Sequence, residues 1–87
     1  MYSVRILDAA SQELAKLDKS VARRIIKRVN WLAGHVEDIK PEVLTGGLAH
    51  LFKLRVGDYR VLYQILEDEQ RIVIHKVGHR RNVYRMR

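Results

Sequence analysis

The pair Gly57–Asp58 constrains this chain most, because it separates two runs of alternating apolar and polar residues, FKLRV and YRVLYQIL. A two-residue connection is too short for a crossover, so the flanking runs must pair as antiparallel neighbours, and glycine and aspartate suit the tight turn between them. Counting outward from that turn sets Val56 opposite Tyr59, Arg55 opposite Arg60, Leu54 opposite Val61, Lys53 opposite Leu62 and Phe52 opposite Tyr63. Phe52, Leu54, Val56, Tyr59, Val61, Tyr63 and Ile65 then share one face, while Lys53, Arg55, Arg60 and Gln64 share the other. The first face needs a cover; the second is open and carries three cations.

The elements around this hairpin follow from the same patterning. Glu67 to Gln70 forms a polar four-residue connection to a further strand, Arg71 to Val77, which brings His75 and Val73 to the open face. Upstream, Tyr2 to Leu7 alternates as a strand. Asp8 is a cap candidate for a short helix bearing Ala10, Leu14 and Leu17, and Asp18 for a second with Val21, Ile25, Val29, Leu32 and Val36 along one stripe. Gly34 is the end signal of that helix. Gly34 to His50, with Pro41, Gly46 and Gly47, shows no sustained period and reads as a loop with room for one helical turn. The expected architecture is α+β, in the order β-α-α-β-β-β, with a helical hairpin packed on one face of a mostly antiparallel four-stranded sheet.

Eighty-seven residues, 47% of them hydrophobic, support a single domain spanning 1–87. No apolar run approaches the roughly 20 residues of a membrane span, and the N-terminus lacks the apolar block of a signal peptide, so a cytoplasmic location without membrane attachment is expected. With no cysteine, neither disulfides nor thiolate metal sites are available. The net charge is +7, and after Glu69 no acidic residue follows while Arg71, Lys76, Arg80, Arg81, Arg85 and Arg87 do. Such an excess calls for an anionic partner. Arg55 opposite Arg60 points the same way, since directly opposed like charges destabilise a sheet unless an anion lies against them. Past the last strand, His79, Arg80, Arg81 and Tyr84 add cations and an aromatic ring, a combination suited to single-stranded RNA. Paired carboxylates on a common site, closely spaced histidines, a glycine-rich phosphate loop and a Ser/His/Asp set are all missing from the pattern, so a metal nuclease or a cofactor-dependent enzyme is not expected.

The segments LFKLRVGDYRVLYQI and IVIHKVGHRRNVY resemble the C-terminal half of toxins of the RelE/ParE superfamily, and the preceding strand and helical hairpin extend the resemblance over nearly the whole chain. By resemblance to the RelE branch, the protein is expected to be the toxin of a type II toxin–antitoxin system, cutting mRNA in the ribosomal A site without metal or cofactor. Lys53, Arg60, Arg80 and Tyr84 match that branch's catalytic positions. Arg55, His79 and Arg81 are the substrate-binding candidates beside them. Leu51 stands where the family has a further lysine, and the Arg80-to-Tyr84 spacing is shorter than the family's. The implied reaction is attack by the messenger's own 2′-hydroxyl, with Lys53 the first candidate for general base and His79 the competing one. Arg60 and Arg80 would stabilise phosphorane charge while Tyr84 stacks a base. The resemblance also implies an acidic cognate antitoxin, with a docking strip at Arg24, Lys27 and Arg28 beside Trp31, and operator DNA reached indirectly through that antitoxin. The alternative within the superfamily is a ParE-like inhibitor of DNA gyrase without nuclease activity.

Overall fold

A computed structural model of the chain describes residues 1–43 and 51–83. Strand β1 (Ser3–Ile6) leads into helices α1 (Asp8–Ala15) and α2 (Lys19–Gly34), then a 3-10 turn (Val36–Asp38) and strands β2 (Glu42–Val43), β3 (Phe52–Val56), β4 (Tyr59–Leu66) and β5 (Arg71–His79). The strands form one sheet in the order β1-β5-β4-β3-β2, in which β1 runs parallel to β5 and every other pairing is antiparallel. The expected α+β architecture is thus present. The stretch read as a loop adds the 3-10 turn and a two-residue strand at the sheet edge, and β5 runs two residues past its expected end.

The hairpin has the register that the sequence dictates, from Phe52 opposite Tyr63 to Val56 opposite Tyr59. Gly57 sits at φ +59° and is followed by a residue without positive φ, the pattern of a type II′ turn. A side chain there meets two obstacles: the left-handed backbone, and the Arg24 guanidinium of α2, whose Nη2 would lie 2.7 Å from a Cβ. Because arginine can move but the backbone cannot, Gly57→Ala is expected to destabilise the fold by about 1–2 kcal/mol, read as a lower urea midpoint at unchanged slope.

Both helices cover the same face of the sheet. Ile25, Val29, Leu32 and Ala33 of α2 and Ala10 of α1 pack with Leu54, Val56, Val61, Tyr63, Ile72, Ile74 and Val77 in the main core. Asp8, expected to cap α1, is instead its first helical residue, with Leu7 at the cap position; Asp18 does precede α2, but its side chain makes no capping bond. Tyr2 N–H donates to Ala33 O at 3.0 Å and ties the end of α2 to the first strand.

β4 and β5 slip by one residue between Leu62 and Tyr63, so that Leu62 faces Lys76 while Tyr63 faces Ile74. This bulge leaves His75 between two paired positions, where its Nε2 lies 3.1 Å from Gln64 Oε1. Pairing with β1 ends at Ile74. Beyond it α1 takes over the edge: Val77 N–H donates to Glu13 Oε1 at 2.9 Å, and Lys76 Nζ stands 3.1 Å from Glu13 Oε2. A carboxylate there replaces a ladder partner and blunts an edge otherwise open to another strand.

The other face is only partly open. After β5 the chain turns, with Asn82 N–H and Val83 N–H both donating to His79 O, and Val83 folds back over Gly78. Val83, Leu51 and Leu62 form a second, smaller core on the side of the sheet that the alternation left to charged residues.

Candidate functional site

Three adjacent strands assemble the charged cluster. Register on β3 and β4 sets Lys53 opposite Leu62 and Arg55 opposite Arg60, and β2 sets Glu42 opposite Lys53 from the other side. Lys53 and Arg60 are therefore diagonal neighbours, about 7–8 Å apart at the backbone.

Glu42 is the site candidate that the sequence alone does not reveal. Its Oε2 accepts from Arg55 Nη2 at 2.9 Å and lies 3.1 Å from Lys53 Nζ. The chain itself supplies one carboxylate to Arg55, which offsets part of the Arg55–Arg60 repulsion. The Lys53 hydrogen bond is the largest influence holding the Glu42 carboxyl below its ordinary range; loss of solvent opposes it and Arg55 adds to it. Glu42 is thus an ionised acceptor held between Lys53 and Arg55. Pro41 before it is compatible with an extended strand, but two residues are too few for alternation to register.

Arg60 is fixed differently. Its Nη1 donates to Gly57 O at 2.9 Å and Tyr59 O at 2.8 Å, which anchors the guanidinium at the hairpin end. Among the described residues it has no carboxylate partner. Arg80 reaches the same end: its N–H donates to Asp58 O at 2.8 Å and its Nε lies 4.0 Å from Asp58 Oδ1. Arg81 is exposed one residue on.

The structure separates His79 from this group. His79 pairs with Tyr59 across β4 and β5, and their rings meet edge to face at 5.6 Å, with Tyr59 packed on the main core. It therefore shares the helix-covered face, and its Nδ1 accepts from Arg81 N–H at 3.2 Å. The sheet lies between His79 and Lys53, so His79 is not brought beside Lys53 as a substrate-binding group or base. Strand parity would have revealed this, because His79 is an even number of residues from Val77. Tyr84 lies outside the described residues.

Behind the cluster, Tyr63 is buried in the main core that also holds Ile25 and Leu32. Burial first, and the nearby Glu42 charge second, push its phenol up to about 12, so it remains a hydroxyl donor across the physiological range. Arg24, one of the expected docking cations, leans over the Gly57 turn, and Arg28 lies over the Trp31 ring.

Comparison with known proteins gives this arrangement its class. The fold is that of the RelE-type toxins: it overlays the toxin–antitoxin complex RelBE2 from Mycobacterium tuberculosis with a TM-score of 0.80 at 29% identity, over 90% of this chain and 96% of the other. It overlays the isolated E. coli RelE toxin with a TM-score of 0.76 at 21% identity, over 91% of this chain and 84% of the other. In sequence the chain is 32% identical over 90 residues to the toxin RelG of Mycobacterium tuberculosis, covering 97% of each. The family model for the ParE toxin of type II toxin–antitoxin systems matches residues 4–84, and the chain belongs to this RelE/ParE toxin family.

Proposed function

We propose that this toxin is a ribosome-dependent, metal-independent endoribonuclease that inhibits translation by cutting mRNA in the A site. The observation that supports it best is the placement of Lys53, Arg55 and Arg60 on one face around an ionised carboxylate, Glu42. A 2′-hydroxyl that attacks its own 3′-phosphate must lose a proton as charge builds on the phosphorane. Glu42 takes that proton, and Lys53 and Arg60 stabilise the extra charge. As the phosphate approaches, it competes for Lys53 and Arg55, weakening their hold on Glu42 and increasing the carboxylate's proton affinity as the proton moves. The P–O5′ bond breaks with Arg80 stabilising the leaving oxygen, which then takes a proton from water. A 2′,3′-cyclic phosphate and a free 5′-hydroxyl result. Tyr84 stacks a base to fix the in-line geometry and Arg81 holds the flanking backbone. Without a strong base of its own, the site relies on the ribosome to position the RNA.

The neutralising partner is an acidic cognate antitoxin, drawn to the basic surface at Arg24, Lys27 and Arg28 and carrying the contact to operator DNA. Titratable competition between this partner and mRNA for one basic domain is the natural regulatory logic, and it places the toxin in the cytoplasm.

The second reading is a ParE-like gyrase inhibitor, favoured by the description of the matching family model. The two are separated by inducing wild type and Lys53→Ala/Arg60→Ala in growing bacteria, mapping messenger 5′ ends and assaying supercoiling in parallel. New 5′ ends within translated codons, lost in the variant, are expected; intact messengers with inhibited gyrase would replace the nuclease with the second reading.

A further inference from the structure

Between α2 and the β2–β3 edge lies a cavity of about 270 Å³ whose wall includes Arg28, Trp31, Lys40, Glu42, Lys53 and Arg55. Among the described residues, Arg28, Lys40, Lys53 and Arg55 line it with one carboxylate, Glu42, an excess of positive charge that suits an anion. Its outer wall is aromatic. Trp31 is 42% exposed, on a helix whose Val21, Ile25, Val29 and Leu32 turn to the core.

The Trp31 ring is held flat rather than left loose. His35 stacks on it with centroids 4.3 Å apart and planes 10° off parallel, and His35 Nδ1 lies 2.7 Å from Trp31 O. Arg28, one turn earlier on the helix, lies with its guanidinium carbon 4.9 Å from the ring centroid. Residues three before and four after Trp31 are its neighbours along the helix, so the imidazole and the guanidinium both border the indole. Among the described residues Arg28 has no carboxylate partner. A planar cation stacked on an exposed indole occupies the position a nucleobase would take, and it can swing to a phosphate when a base replaces it.

We infer that this cavity is a nucleotide subsite for single-stranded RNA, in which a base stacks on Trp31 in place of Arg28, and Arg28 and Lys40 hold the phosphate next to the one gripped by Lys53 and Arg55. The inference rests on the nuclease reading for its substrate and adds a second anchor on α2, outside the positions the resemblance supplies. Such an anchor fixes the strand at two points and thereby aligns the scissile phosphate.

Trp31 is the chain's single tryptophan, so its emission reports on this site alone. A short 2′-O-methylated oligoribonucleotide, which binds but lacks the attacking hydroxyl, is titrated into the intact toxin, with binding followed separately by anisotropy of a labelled strand. Quenching of Trp31 emission is expected with the oligonucleotide, and none with an abasic strand of equal charge. Trp31→Ala is expected to weaken binding roughly 5- to 150-fold, the range spanned by one lost base–aromatic stack, and Trp31→Phe to restore part of it. No binding, binding with unchanged emission, or equal quenching by the abasic strand overturns the subsite. An acidic peptide that alters the emission where RNA does not would make this a protein-docking surface and overturn it too. Cleavage within codons alongside unchanged emission would sink the subsite and leave the nuclease standing. Quenching without any messenger cleavage would do the reverse.

Discussion

Glu42→Gln is expected to lower single-turnover cleavage of ribosome-bound mRNA by about 10²- to 10⁴-fold, the usual contribution of a positioned general base, while the folding transition stays in place. The amide keeps the shape of the side chain and an oxygen to accept from Arg55 and Lys53. It loses the charge and the ability to take a proton. If Glu42 were only a clamp on the two cations, losing its charge would loosen that hold, RNA would bind more tightly, and cleavage would hold or rise. That result would return the role of base to another group. The pH profile provides a second check. Glu42 is held below the carboxyl's ordinary 4.5 in the folded protein, so it stays ionised at pH values where a free glutamate already gains a proton. The stabilisation from its pairing is present above the unfolded value and is lost as pH falls through the folded one. The acid limb of kcat/KM, which reports the free toxin, should therefore fall below the ordinary carboxyl range, and the glutamine variant should lack it.

What could be read from the chain beforehand, and what could not, follows from how each residue is placed. The β3–β4 register was legible because a two-residue turn fixes it and an alternating pattern forbids a slip, so Lys53, Arg55 and Arg60 were assigned to one face correctly. The helical stripe Ile25, Val29 and Leu32 was legible for the same reason at a different period. Glu42 was not, because the strand that carries it has two residues and is held by pairing with β3 rather than by a pattern of its own. His79 is hard to place from the pattern because the apolar run ends at Val77, which makes the residues beyond it resemble a tail at the sheet edge rather than two more positions in a ladder. The bulge at Leu62 and Tyr63 leaves no mark in the alternation either, and neither does the carboxylate of Glu13, sixty-four residues from Val77, which takes up the N–H left beyond the end of β1 pairing. Local rules capture turns and faces; they do not capture a partner delivered from elsewhere in the chain.

Leu62→Ala is expected to destabilise the fold by about 2–5 kcal/mol, as large as a substitution in the main core. By parity Leu62 shares the face of the cations, opposite Lys53 on β3 and Lys76 on β5, and a two-sided pattern would make it a half-exposed spacer. It is instead 0% exposed, sealed by Leu51 and by Val83 as the chain turns back over Gly78. Truncation opens a cavity between strand and tail that the short turn at 79–83 cannot close, because that turn is pinned by two N–H groups on His79 O. Urea unfolding measures this directly, and a loss under about 1 kcal/mol would mean that the second cluster is a surface patch rather than a core. The size of the effect also bears on function. Val83, which seals Leu62, closes the turn that carries Arg80, itself hydrogen-bonded to Asp58 at the hairpin end, so a loosened tail should separate Arg80 from Arg60. Leu62→Ala assayed well below its unfolding midpoint is thus expected to cut more slowly than wild type even where it is fully folded, a loss that Gly57→Ala, acting at the turn alone, should share only in part.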